Sequence, residues 1–126
     1  MIFKIGNADS GDYSNRVLAG TYNVHSKPIY TSWTDTNGVE HRDVTRASKT
    51  AGTFDMFFRS ITEYDTFVSL ISSLRTTSLA VPCTVMSNTT NTTVTGNFFI
   101  DFEPVRNRRG DWADFMEKFT VKITEA

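Results

Sequence analysis

The sequence predicts a mainly β protein with a minor α component. The expected form is an antiparallel β-sandwich or rolled sheet of about seven strands, with one α-helix at about 61–75 and a long β-hairpin at about 28–47. Three observations carry this. Stretches of two-residue apolar alternation follow one another without helices between them, which argues against a parallel α/β sheet. Helical periodicity occurs in one stretch, Ile61–Leu74. Asn37-Gly38 lies between two extended runs, and Asn-Gly adopts the positive φ angles that tight hairpin turns require. At 126 residues the chain is near the commonest domain size. It is expected to form a single β-sandwich domain over 1–126, with the hairpin 28–47 protruding.

Ile2–Ile5 reads as a short first strand closed by Gly6-Asn7, and 7–15 is a loop rich in Gly, Asp, Ser and Asn. Val17–His25 is expected as the second strand, with Leu18, Tyr22 and Val24 on one parity and Gly20 marking a bulge or close approach. Residues 28–47 form the hairpin, with Asp35-Thr36-Asn37-Gly38 at its tip. For a loop of two or four residues, Ile29, Thr31 and Trp33 share a face with Arg42, Val44 and Arg46. Tyr30, Ser32 and Thr34 then lie with His41, Asp43 and Thr45. Neither face is a clean core face, and a lone two-stranded ribbon is marginal in water. The ribbon needs the parent sheet or another subunit.

Phe54, Met56 and Phe58 alternate with Asp55 and Arg59 as a half-buried strand. Ser60 and Glu63 have the spacing of a capping box, in which the hydroxyl accepts an amide of the first turn and the carboxylate reaches back. Ile61, Tyr64, Phe67, Val68, Ile71 and Leu74 then make the apolar stripe of about four helical turns. Leu79, Val81, Cys83 and Val85 alternate in a strand that Pro82 should confine to an edge, or whose amide position should face solvent. The polar run 87–93 is a turn. In the next strand Val94, Phe98, Ile100 and Phe102 oppose Phe99, Asp101 and Glu103. Residues 105–112 are expected as a charged loop, and Phe119, Val121 and Ile123 mark the last strand.

Composition narrows function. With 13 basic and 14 acidic residues there is no basic excess, so sequence-specific nucleic-acid binding is not expected. The one cysteine, Cys83, cannot form an internal disulfide. The N-terminus has no long apolar region behind a basic one, and no run reaches the roughly 20 apolar residues of a membrane span. The expectation is a soluble protein of the cytoplasm, with no membrane partner.

Chemistry-bearing motifs are sparse. His25, His41 and Cys83 lack the spacings that bind zinc. Cys83 lies in an apolar alternation, where free cysteine acts as a small hydrophobe. Asp101 and Glu103 share a strand face, which a solvated face explains more simply than an acid–base pair. No enzyme activity, catalytic residue, cofactor or metal is therefore expected. Asn88-Thr89-Thr90 and Asn91-Thr92-Thr93 match a glycosylation pattern that matters only in a secreted eukaryotic protein. Arginine and tryptophan are enriched at interface centres. Tyr30, Trp33, Arg42 and Arg46 on the hairpin, with Arg106, Arg108, Arg109 and Trp112 in the charged loop, are the candidate subunit-interface residues.

The strings Tyr30–Arg42 (YTSWTDTNGVEHR), Gly52–Phe58 (GTFDMFF) and Phe98–Pro104 (FFIDFEP) resemble small structural proteins of tailed bacteriophages and prophages. The layout of a long hairpin, a strand leading into a single helix, and further strands to the C-terminus is similar to the tail-tube and distal-tail β-sandwich group. The resemblance implies a virion subunit of the tail or baseplate, of tail-tube, distal-tail or adaptor type. Such a subunit forms homo-oligomeric rings, often of six, with other tail or neck proteins as partners, assembled in the cytoplasm of a bacterial host. The alternatives are a carbohydrate- or protein-binding β-sandwich module, with Trp33, Tyr30 or Trp112 as a stacking platform, and a head–tail connector or head-decoration subunit.

Overall fold

In this computed structural model residues 1–104, 106–109 and 112–126 are described, those at 44–47, 106–109 and 112–116 by backbone alone. Among them are eight strands and one α-helix. The strands are β1 (Phe3–Ile5), β2 (Asn23–Thr34), β3 (Glu40–Met56), β4 (Val81–Ser87), β5 (Thr92–Phe102), β6 (Arg106–Arg109), β7 (Trp112–Met116) and β8 (Phe119–Glu125), and the helix, α1, is Ile61–Leu74. Six strands form one antiparallel sheet in the order β1-β4-β5-β8-β3-β2, and β6 pairs with β7. The fold is thus the rolled-sheet form of the expectation.

The sheet rolls because its far strand meets β4 near the turn that ends it. Asn88 N donates to Val24 O at 2.8 Å, and Tyr22, just before β2, donates its hydroxyl to Met86 O. Ser26 Oγ joins Thr50 Oγ1 and Ser87 Oγ, each at 2.7 Å, in a buried hydroxyl cluster. Buried hydroxyls left unpaired would each be costly, so the cluster links three strands at little net loss.

Alternation supplies the core. Val81, Cys83 and Val85, Phe98 and Ile100, Phe119, Val121 and Ile123, and Phe54 and Met56 are all buried. Each buried side chain of this size contributes about 1.5–3 kcal/mol relative to exposure. Helix α1 covers this face, and its Phe67 and Ile71 are buried. Phe58 lies beyond the end of β3 at the centre of the aromatic seam beneath the helix. Its ring centroid is 5.2 Å from Phe67, 5.9 Å from Tyr13, 6.0 Å from Tyr64 and 6.1 Å from Phe119.

Several expectations are corrected. Residues 17–25 are not one strand: Ser14–Arg16 is a 3-10 turn, Val17 makes a single bridge to Met56, and β2 begins at Asn23. The hairpin is longer than 28–47, with pairing from Asn23↔Thr53 to Thr34↔Glu40. Pro28 sits inside β2, at a register shift between Lys27 and Ile29, where a residue without an amide removes no ladder bond. Met56 and the residues before it belong to β3 rather than to a separate strand. Strand β4 is not an edge, since it lies between β1 and β5. Pro82 is tolerated because β1 has ended beside it; its carbonyl accepts from Gly6 N at 2.8 Å, so its nitrogen faces the same gap.

The helix start is half of the expected box. Ser60 Oγ accepts from Glu63 N at 3.2 Å, while the Glu63 carboxylate pairs with Arg16 Nη2 at 2.7 Å. The charged loop expected at 105–112 gives way to the β6–β7 hairpin over its described residues. Leu79, expected on the buried parity of β4, is 64% exposed and precedes the strand.

Gly52 is needed where β2 and β3 cross the rolled edge. A Cβ there would stand 2.0 Å from Asn23 O and 2.6 Å from Val24 Cα. Gly52→Ala is therefore expected to cost about 2 kcal/mol or more, read as a lowered urea midpoint at unchanged slope.

Candidate functional site

The distal half of the β2–β3 hairpin is an arm. Strand β3 pairs with β8 only from Ala51 to Met56, so among the described residues the segments 29–34 and 40–46 pair only with each other. Residues 27–34 are all exposed. At about 3.3 Å per residue the arm extends roughly 25 Å beyond the buried Ser26–Thr50 level. Among its described side chains none packs into the core, so its shape comes from its turn and its cross-strand pairs.

The loop has five residues, Asp35–Val39, between the Thr34↔Glu40 pair. Gly38 takes φ +82°, and Asn37 is not in the left-handed region. Gly38 N donates to Asp35 O at 3.0 Å, and Asp35 N to Val39 O at 2.9 Å. This is a turn followed by a left-handed glycine, rather than the two-residue Asn-Gly turn in which both residues have positive φ. Asp35 organises it. Its Oδ1 accepts from Asn37 N at 2.9 Å and Val39 N at 3.0 Å, and its Oδ2 meets His41 Nε2 at 2.8 Å. The His41 contact, followed by the Val39 and Asn37 amides, holds the Asp35 carboxyl below its usual pKa. Its support of the turn is present above the ordinary carboxylate range and is lost as pH falls through the lowered value.

An odd loop exchanges the partners expected across the ribbon, because a one-residue shift moves a side chain to the other face. Trp33 faces His41, not Arg42: the rings stack with centroids 4.4 Å apart and 17° between planes. Arg42 faces Ser32 and lies over the Tyr30 ring, 4.5 Å from its centroid, with Nε 3.4 Å from Glu40 Oε1. One face of the arm thus carries Tyr30, Glu40 and Arg42, and the other Trp33 and His41. Trp33 remains 49% exposed and Tyr30 39%, with Ile29 and Val39 also exposed.

The structure brings Tyr30, Trp33 and Arg42 together on the arm. Arg46 follows them along β3 as the partner of Ile29, and its side chain lies outside the described residues. Arg106, Arg108, Arg109 and Trp112 belong to β6–β7, where Arg109 pairs with Trp112. Their side chains also lie outside the described residues. The predicted interface residues therefore divide between two hairpins. Sequence reasoning missed the roles of Asp35, Glu40 and His41; counting an odd loop would have found the last.

Elsewhere, Cys83 is buried, and burial pushes its thiol up to about 12. Asp101 and Glu103 are both exposed. Among the described residues no three His, Cys, Asp or Glu side chains come together as a metal-holding group. No described helix is long and apolar enough to cross a membrane.

No family model matches the chain. No curated protein matches it. Among solved structures, it aligns with a chain of the tail of an empty GTA particle, computed with helical refinement and C6 symmetry. The alignment covers 100% of this chain and 90% of the other, at a TM-score of 0.57 and 10% sequence identity. At that identity the two chains share a fold.

Proposed function

We propose that this chain is a structural subunit of a phage-like tail that assembles into homo-oligomeric rings through its β2–β3 arm. The observation that carries the reading is the arm itself. It extends from the core, pairs only with itself among the described residues, and exposes Tyr30 and Trp33 on opposite faces. A monomer gains little from such a ribbon, whereas a neighbouring copy can cover its aromatic side chains or pair with the free edge of β2. The shared fold supports the reading, because the matched chain comes from a C6-symmetric tail. A ring of six with tube, distal-tail or adaptor placement is the finer form of the proposal. The interface set comprises Tyr30, Trp33, Arg42 and Arg46, joined by Arg106, Arg108, Arg109 and Trp112. The work of such a subunit is to bind its copies and other tail or neck proteins. It calls for no catalytic residue or cofactor, and its place is the virion tail.

Electron microscopy and sedimentation velocity of the purified protein test this, with rings or short tubes expected. Trp33→Ala should weaken assembly about thirtyfold, as for an aromatic anchor worth roughly 2 kcal/mol, while the thermal midpoint of the subunit stays unchanged. A protein that remains monomeric at high concentration, alone and with the tail components encoded beside it, refutes the reading.

A further inference from the structure

A ring in which one end of a subunit grips the next needs two different patches, one that reaches and one that receives. The arm is the reaching patch. We propose that the receiving patch is the groove between the end of α1 and β5, and that it takes the Tyr30, Glu40 and Arg42 face of a neighbouring copy's arm. This rests on the assembly reading above and goes beyond it by naming the surface engaged.

The groove, about 310 Å³, is lined by Arg75, Ser78, Leu79, Phe99, Ile100 and Asp101. Leu79 is the first sign that it does more than close a turn. It holds φ +67°, a conformation that glycine or asparagine adopts with far less strain. The turn around it is satisfied by backbone and threonine groups: Thr76 N donates to Ala80 O at 2.8 Å, and Leu79 N to Thr76 O at 2.9 Å. The leucine side chain is left 64% exposed, so neither turn geometry nor core packing requires it. Phe99, 37% exposed, is the second large apolar side chain lining the groove.

Charge selects the occupant. Arg75 and Asp101 are exposed at the groove, and among the described residues neither makes an ion pair. The arm carries the opposite pair on one face, Glu40 beside Arg42, with the Tyr30 ring next to them. Glu40 opposite Arg75, Arg42 opposite Asp101 and Tyr30 against Leu79 and Phe99 complement both charge and apolar surface. The other arm face, with Trp33 stacked on His41, carries Asp35 held by His41 and Asp43 opposite Thr31, so it presents carboxylates without a described lysine or arginine side chain to meet Asp101.

Charge reversal in the full chain tests this by sedimentation. Arg75→Glu and Glu40→Lys should each weaken association about tenfold, and the double variant, which restores an opposite pair across the interface, should recover most of the loss. Leu79→Asn should weaken association while leaving the thermal midpoint equal or raised, because asparagine tolerates the left-handed backbone. If the double variant is as weak as the sum of its parts, the groove assignment is overturned. It is also overturned if all three changes leave association intact while Trp33→Ala disrupts it; the arm then docks elsewhere and the assembly reading stands. A wild-type protein that never associates overturns both.

Discussion

Phe58→Ala is expected to lower the unfolding free energy by about 3–5 kcal/mol, the range for deleting a large buried aromatic. Phe58 is 1% exposed and stands at the junction of the 3-10 turns, the helix and the last strand. Its ring meets Tyr13 edge-on, Phe67 at a tilt, Tyr64 edge-on and Phe119 stacked. Removing it leaves a cavity walled by other rings, which cannot collapse without leaving their rotamers. The neighbouring residue is the control. Phe57 is 39% exposed, so Phe57→Ala should cost under about 1 kcal/mol. Equal losses in urea titrations of the two variants would contradict this placement of the core.

Shortening the arm should have the largest effect on assembly and little on the fold. Replacing 28–48 by Asn-Gly keeps the pairs from Asn23↔Thr53 to Lys27↔Lys49 and removes Tyr30, Trp33, Glu40 and Arg42 together. Among the described residues, none of the buried core cluster lies in the deleted segment. The shortened chain should melt within a few degrees of the intact one, since the described side chains of the removed ribbon contribute no core burial. Its association should fall more than about 100-fold, because several anchors of roughly 2 kcal/mol are lost at once. Sedimentation showing rings of undiminished stability from the shortened chain would refute the arm as the contact. Loss of folding on shortening would instead show that the ribbon stabilises its own subunit.

Much of this was legible in the sequence, for a local reason. The apolar stripe of α1 and the alternation of β4, β5 and β8 follow from 3.6- and two-residue periods, which any short window displays. Ser60 as helix cap and Phe98, Ile100, Phe119, Val121 and Ile123 as core needed no knowledge of neighbours. The mixed faces of 28–47 likewise mark a ribbon without a core of its own, which makes Tyr30, Trp33 and Arg42 candidates for an interface.

What lay beyond the sequence depends on partners distant along the chain or on a count that a turn can change. Pro82 reads as an edge residue or one whose amide position faces solvent; its strand is central, so the edge alternative fails, and β1 ends beside the missing amide. Arg106–Arg109 reads as loop by its charge, though it pairs as a strand with 112–116. The exposure of Leu79 required the path of the chain between α1 and β4. Most consequential was the register of the arm. Side-chain identity made its two strands, but an odd loop of five residues put Trp33 on His41 and Tyr30 under Arg42. Periodicity is written within a few residues, whereas register and closure are set only when separate segments meet.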